Sequence, residues 1–253
     1  VLLAGVAVCG VACRVDTVVE VDVHDDGSGV VTVAVTLDRS AATELGEPAA
    51  VAVEDLEEVG WDVADPEEVD GGLRLVARRS FARPGDLPRV LEEVGGVGGV
   101  FREVALVVRD GPGRVSYRFD ARVVLSGDPA QFADPELAAA LGGLPLGRTP
   151  EELAFLGADD PATATLELAV RLPGPAPDTD GRVVDGRAVW RFPVTGGAPT
   201  DQAVRSSSRV VDRTATILLV AAVAVAVVAL VVLVAGAVRR VRRSSGSGRG
   251  VGA

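Results

Sequence analysis

The chain has 253 residues, 48% of them hydrophobic and only 4% aromatic, with a formal net charge of −11. All 25 basic residues are Arg, and there is no Met. Between Arg14 and Asp212 all 36 acids meet 19 of the arginines, which leaves −17 on that stretch, a poor electrostatic match for nucleic acid.

The first twelve residues, Val1–Ala12, are uncharged. They are too short to span a bilayer and read as the remnant of a signal-peptide apolar region. The run closes V-A-V-C-G-V-A-C, with the chain's two cysteines, Cys9 and Cys13. A bacterial lipoprotein signal ends in a Leu-small-small-Cys box, whose Cys becomes the lipidated N-terminus. Ala12 and Val11 fit the two positions before Cys13, while Gly10 stands where Leu is usual. Val8 is too large before Cys9. Cys13 is therefore the expected lipidation site, with cleavage discarding Cys9. A disulfide between thiols four residues apart in a removed segment would serve nothing.

The stretch 13–194 reads as one extracytoplasmic domain, long enough to build a core without disulfides. Thr17–Val23 and Val30–Leu37 are Val-rich and flank H-D-D-G-S-G, a hairpin signature. Ala49–Gly60, after Pro48, predicts a short helix with an acidic face. Leu73–Phe81 predicts a strand, and Pro84–Val94 a helix stopped by Gly95. Val100–Arg109 and Arg114–Leu125 predict a second hairpin about D-G-P-G. Asp128–Leu141 carries short helical stretches, and T-P-E-E at Thr149 opens a capped helix to Leu156. Ala164–Leu172 and Arg187–Val194 predict the last strands. Hairpins dominate and strict β-α-β alternation is absent, so the expected fold class is α+β: an antiparallel sheet with helices packed on one face.

Thr195–Arg213 reads as a polar linker. Ala215–Val238 has 24 residues without a charge. As a helix it would be about 36 Å long, against a hydrocarbon core of about 30 Å, so residues 214–238 predict a transmembrane helix. Arg239, Arg240, Arg242 and Arg243 follow at once and predict that residues 239–253 are a cytoplasmic tail, with the domain outside the cell membrane in a single-pass topology.

Two stretches carry a family resemblance. C-R-V-D-T-V-V-E-V-D-V-H-D-D-G-S-G-V-V-T-V-A-V-T-L-D follows the lipobox-like segment. T-A-T-L-E-L-A-V-R-L-P-G is followed by D-G-R-A-V-W-R-F-P-V, then the apolar run and its arginines. The pattern resembles the LppM-type domain of actinobacterial envelope lipoproteins. That resemblance implies an α/β domain on the outer side of the plasma membrane, with an apolar cavity suited to a lipid or glycolipid. It implies no particular binding residue.

No catalytic or metal constellation stands out. His24, the only histidine, sits beside Asp25 and Asp26 and reads as a solvated turn residue; a catalytic triad needs a nucleophile that the sequence does not place. One His with no spare Cys argues against zinc, and D-D-G-S-G lacks the alternating ligands of a calcium loop. G-G-V-G-G-V, Gly95–Val100, follows a helix and opens a strand, the reverse of a dinucleotide fingerprint; it reads as a loop that could serve as a cavity lip. The acids Glu54, Asp55, Glu57, Glu58, Asp62, Asp65, Glu67, Glu68 and Asp70 read as a solvated face. The aromatics read as core.

The expected function is a non-enzymatic, membrane-anchored lipoprotein domain. It takes no cofactor and binds a lipid or glycolipid in an apolar cavity. The alternative is an envelope protein–protein interaction module without a ligand pocket.

Overall fold

The computed structural model describes residues 14–45, 56–57, 60–95, 99–126, 164–175, 177–194 and 198–211. Two compact units divide the chain: Val1–Val108 with Ser116–Arg209, and Arg109–Val115 with Val210–Ala253. The first holds the core. The described part of the second is the turn end of one hairpin and the last two residues of a strand.

The chain begins with strands β1 (Val15–Val23) and β2 (Gly29–Leu37), then helix α1 (Arg39–Leu45). The short strands β3 (Asp62–Val63) and β4 (Glu67–Val69) precede β5 (Gly72–Phe81). A 3-10 turn, Pro84–Asp86, leads into helix α2 (Leu87–Gly95). Then come β6 (Phe101–Gly111), β7 (Arg114–Leu125), β8 (Ala164–Arg171), β9 (Asp178–Thr179), β10 (Arg182–Val184), β11 (Arg187–Pro193) and β12 (Thr200–Val211).

These strands form two sheets. The larger runs β10-β11-β8-β1-β2-β5-β3, with β4 also on β5, and the smaller runs β6-β7-β12-β9. In the larger sheet β1 pairs β2 antiparallel, Val19 opposite Val33, and β2 pairs β5, Val31 opposite Arg79. β1 pairs β8 in parallel, Val19 opposite Leu168, and β8 pairs β11, Leu168 opposite Trp190.

The register follows from the period-2 rule: one residue of slip would turn every inward side chain outward. Val19, Val21, Val31, Leu166, Leu168, Val170, Ala188, Trp190 and Phe192 share one face and are buried. Asp16, Glu20, Asp22, Glu167, Arg171, Arg187 and Arg191 share the other. There Glu20 pairs with Arg187, Asp22 with Arg171 and Glu167 with Arg191.

The smaller sheet has the same two-faced design. Tyr117, Phe119, Ala121, Val123 and Leu125 of β7 are buried at every second position. On its outer face Arg122 reaches Asp201 and Glu103, and Arg205 reaches Asp120. Glu103 adopts a left-handed backbone, φ 51°. Inward positions on β6 change there from odd (Phe101) to even (Leu106), as a one-residue bulge requires.

Side chains tie the two sheets together. Asp180 accepts the Trp190 indole N–H at 3.0 Å and the backbone N–H of Arg205 at 3.0 Å. The Tyr117 hydroxyl donates to the Asp25 carbonyl at 2.5 Å. Helix α2 buries Leu87, Val90 and Leu91 and packs on β2 and β5. At its end Glu93 accepts from Arg79 and, at 3.3 Å, from the Trp61 indole, while the Arg79 guanidinium lies 6.0 Å from the Trp61 ring centre.

The structure corrects the expected α+β class. Among the described residues it is predominantly β, two sheets rather than one sheet under a layer of helices, and β1 pairs β8 in parallel. The α-helices with complete bounds are only seven and nine residues long. Of the expected helices Pro84–Val94 is present, as the 3-10 turn and α2, whereas most of Ala49–Gly60 and all of Asp128–Leu141 and Thr149–Leu156 lie outside the described residues. The stretch read as a polar linker carries β12, whose inward positions include Ser206 and Ser208, so apolar periodicity does not mark it.

The transmembrane helix and the single-pass topology built on it are also corrected. Among the described residues no helix is long and apolar enough to cross a membrane. The run Ala215–Val238 lies outside those residues, as do the tail, Cys9 and Cys13.

Candidate functional site

Three turns meet at one end of the larger sheet. The first is His24–Ser28, between β1 and β2. His24 N–H donates to the Ser28 carbonyl at 2.8 Å, and Gly27 N–H to the His24 carbonyl at 2.9 Å. Gly27 has φ +82°, and a Cβ there would stand 3.0 Å from Pro84 Cγ, so glycine serves both conformation and space. Asp26 Oδ1 accepts from the Ser28 backbone at 2.9 Å and from its hydroxyl at 2.6 Å. Those two bonds hold the Asp26 carboxyl below the usual carboxylate range.

The second turn leaves β8 at Arg171 and continues through buried Leu172 and Pro173 to Gly174. The third joins β10 to β11 through Asp185 and Gly186, with φ 49° and 76°. Two positive-φ residues between antiparallel strands are what a two-residue hairpin requires, and Asp-Gly supplies them. The pairing of Asp22 with Arg171 and of Val170 with Ala188 brings the three turns to the same end.

Between them lies an open cleft of about 480 Å³, lined by Val23, His24, Asp25, Arg171, Leu172, Pro173, Gly174, Asp185 and Gly186. Val23 and Leu172 are buried and apolar. Asp25, Asp185, His24 and Arg171 bring acceptors and donors of both charges. Such a lining can hydrogen-bond a hydroxyl-rich or otherwise polar group.

His24 is an exposed turn residue, as expected. Its Nδ1 lies 3.2 Å from Ser28 Oγ, a neighbour that the sequence reading did not single out. The arrangement is not that of a triad: the carboxylate of Asp26 holds the serine hydroxyl, where a triad carboxylate orients the histidine ring.

Other expected features fall elsewhere. Trp61, Phe81, Phe101, Tyr117, Phe119, Trp190 and Phe192 are core residues, while Phe132 and Phe155 lie outside the described residues. In the acidic run Asp62, Glu67, Glu68 and Asp70 are exposed on or beside β3 and β4, and Asp65 and Glu57 are exposed too; Glu54, Asp55 and Glu58 are outside the described residues. The glycine loop ends at buried Val100, whose carbonyl accepts from Val124 at 2.9 Å. Among the described residues no group of His, Cys, Asp and Glu could hold a metal ion.

No family model and no curated protein matches the chain. Among solved structures the chain is similar to the NMR structure of the LppM folded domain of Mycobacterium tuberculosis. The identity is 15%, the alignment covers 80% of this chain and 93% of that one, and the TM-score is 0.41. This is a distant likeness that does not extend to family membership and assigns no residue, ligand or activity here.

Proposed function

We propose that this chain is a binding domain for a lipid or glycolipid, with the cleft at the turn end of the larger sheet receiving the head group. The observation that carries the reading is the cleft itself. Its size suits a sugar or a comparable head group, and it combines charged hydrogen-bonding residues with buried Val23 and Leu172. We propose in addition that Cys13 carries the lipid anchor, on its lipobox-like surroundings.

The test is titration of the full chain, and of its Asp185→Asn variant, with a glycolipid in micelles, followed by NMR. Asn tolerates the left-handed backbone that Asp185 occupies, so the turn survives while the charge goes. Shifts confined to Val23–Asp25, Arg171–Gly174 and Asp185–Gly186, weakened in the variant, support the reading. Shifts elsewhere, or none, overturn it.

A second reading, docking of another envelope protein, has its own observation. The strand β10, at the end of the larger sheet, leaves Val183 and Val184 50% and 42% exposed.

A further inference from the structure

On the outer face of the larger sheet the charges answer one another: Glu20 meets Arg187, Glu167 meets Arg191 and Asp16 meets Arg14. The cleft is arranged differently. Each of its three turns delivers one charged side chain, Asp25 from the first, Arg171 from the second and Asp185 from the third. Among the described residues the Asp25 and Asp185 carboxylates enter no ion pair and no hydrogen bond. Arg171 is held loosely. Its Nε lies 3.6 Å from Asp22 Oδ2, too long for a hydrogen bond, and finds no hydrogen-bond partner among the described residues.

Backbone bonds fix these residues while their heads stay available. The Asp25 carbonyl accepts from Tyr117 at 2.5 Å, and Asp185 stands at φ 49° in a tight hairpin turn. The contact of Arg171 with Asp22 runs through Nε, which leaves the two terminal nitrogens of the guanidinium for a ligand. That fork matches the oxygens of a phosphate. Two carboxylates stand against this one guanidinium, so a purely anionic ligand meets net repulsion. A carboxylate accepts N–H bonds from a primary ammonium. A quaternary ammonium has no such donor and is held by aromatic faces, and the cleft lining contains no Phe, Tyr or Trp.

We infer that the cleft recognises a zwitterionic head group, a phosphate joined to a primary ammonium, as in a phosphoethanolamine lipid. Arg171 takes the phosphate, and Asp25 and Asp185 take the ammonium. This assignment rests on the lipid reading and adds a head-group selectivity to it: ethanolamine over choline, because the ammonium must donate, and ethanolamine over glycerol, because the carboxylates need a cation. The same chemistry exists in soluble phosphoethanolamine, so the soluble and the lipid forms are tested side by side.

The probes are micellar lysophosphatidylethanolamine, lysophosphatidylcholine and lysophosphatidylglycerol, with soluble phosphoethanolamine. Each is titrated into the full chain and followed by NMR at the cleft residues, and the Tm of every variant is read without ligand. Wild-type protein binds the ethanolamine lipid about tenfold tighter than the other two lipids, as about one charge-assisted hydrogen bond predicts. The Asp25→Asn/Asp185→Asn protein binds all three lipids alike. Asp185→Asn alone, whose turn survives, loses part of the preference and reads it even where the double variant fails to fold. Arg171→Gln weakens all three lipids together and keeps the ethanolamine preference. Equal affinities in the wild type, a preference that survives loss of both carboxylates, or uptake of a glycolipid but of none of these probes overturns the assignment and leaves the lipid reading standing. Soluble phosphoethanolamine bound as tightly as the micellar lipid keeps the zwitterion and overturns the lipid reading. A chain that takes up neither these probes nor a glycolipid overturns both.

Discussion

The Trp190 indole N–H and the Arg205 backbone N–H meet on one oxygen, Asp180 Oδ1, each at 3.0 Å. Trp190 belongs to the larger sheet and Arg205 to the smaller, so a single exposed carboxylate joins the two layers. Gly181 beside it is a tight approach: a Cβ there would stand 2.6 Å from the Trp190 ring. Replacing Asp180 by Ala removes both bonds and leaves a buried indole donor without a partner. The expected loss is about 2 kcal/mol in urea unfolding, with Asp180→Asn losing less because its carbonyl still accepts.

Gly29 closes the first hairpin against the core. A Cβ there would lie 2.2 Å from the Asp22 carbonyl oxygen and 2.5 Å from Phe81 Cζ. Backbone and a buried ring cannot both yield, so Gly29→Ala is expected to cost about 2 kcal/mol or more. Gly85→Ala, with nothing within 4 Å, is the control and stays within about 0.5 kcal/mol of wild type. Equal midpoints for the two variants would refute this packing.

Asp16 gives the acid limb of the stability profile a specific contributor. Burial pushes its carboxyl up, but the Thr165 hydroxyl at 2.6 Å and the Arg14 guanidinium at 2.8 Å outweigh burial and hold it below the usual value of 3.8. The unfolded chain therefore binds this proton at higher pH than the folded one. The stabilisation is fully present above about pH 3.8 and is lost as pH falls through the lower, folded value. Thr165→Val is expected to shallow that decline while changing neutral-pH stability modestly. Urea midpoints measured from pH 6 to pH 2 read both effects.

Cys13 is expected to carry the lipid. When the full chain is expressed in a bacterial host with lipoprotein processing, the mature protein should begin at Cys13 with an added diacylglyceryl mass. Cys13→Ser should abolish that mass and Cys9→Ser should not. An unmodified Cys13 in intact-mass spectra would contradict the assignment.

The sequence was most legible where side-chain type and backbone period agree. Val-rich β1 and β2 around an Asp/Gly turn, the strand at Leu73–Phe81 and the helix stopped at Gly95 all declare themselves through alternation or capping. The strand β12 did not, because its inward row reads Val-Ser-Ser and its outward row is charged. Edge strands of two or three residues, such as β3, β9 and β10, are too short to show a period. The parallel pairing of β1 with β8 joins residues about 150 positions apart, which local pattern cannot reveal. The candidate cleft was hidden for the same reason. His24, Arg171 and Asp185 come from three turns, each of which looks like ordinary punctuation until the sheet order brings them together.

Native mass spectrometry of the full chain, purified gently from an envelope-lipid-rich host, followed by organic extraction, tests the central claim most directly. The account predicts a discrete lipid or glycolipid at about one per chain beyond any mass attached to Cys13, released by solvent and diminished in the Asp185→Asn protein. A bare polypeptide that also fails to take up added lipid would contradict it.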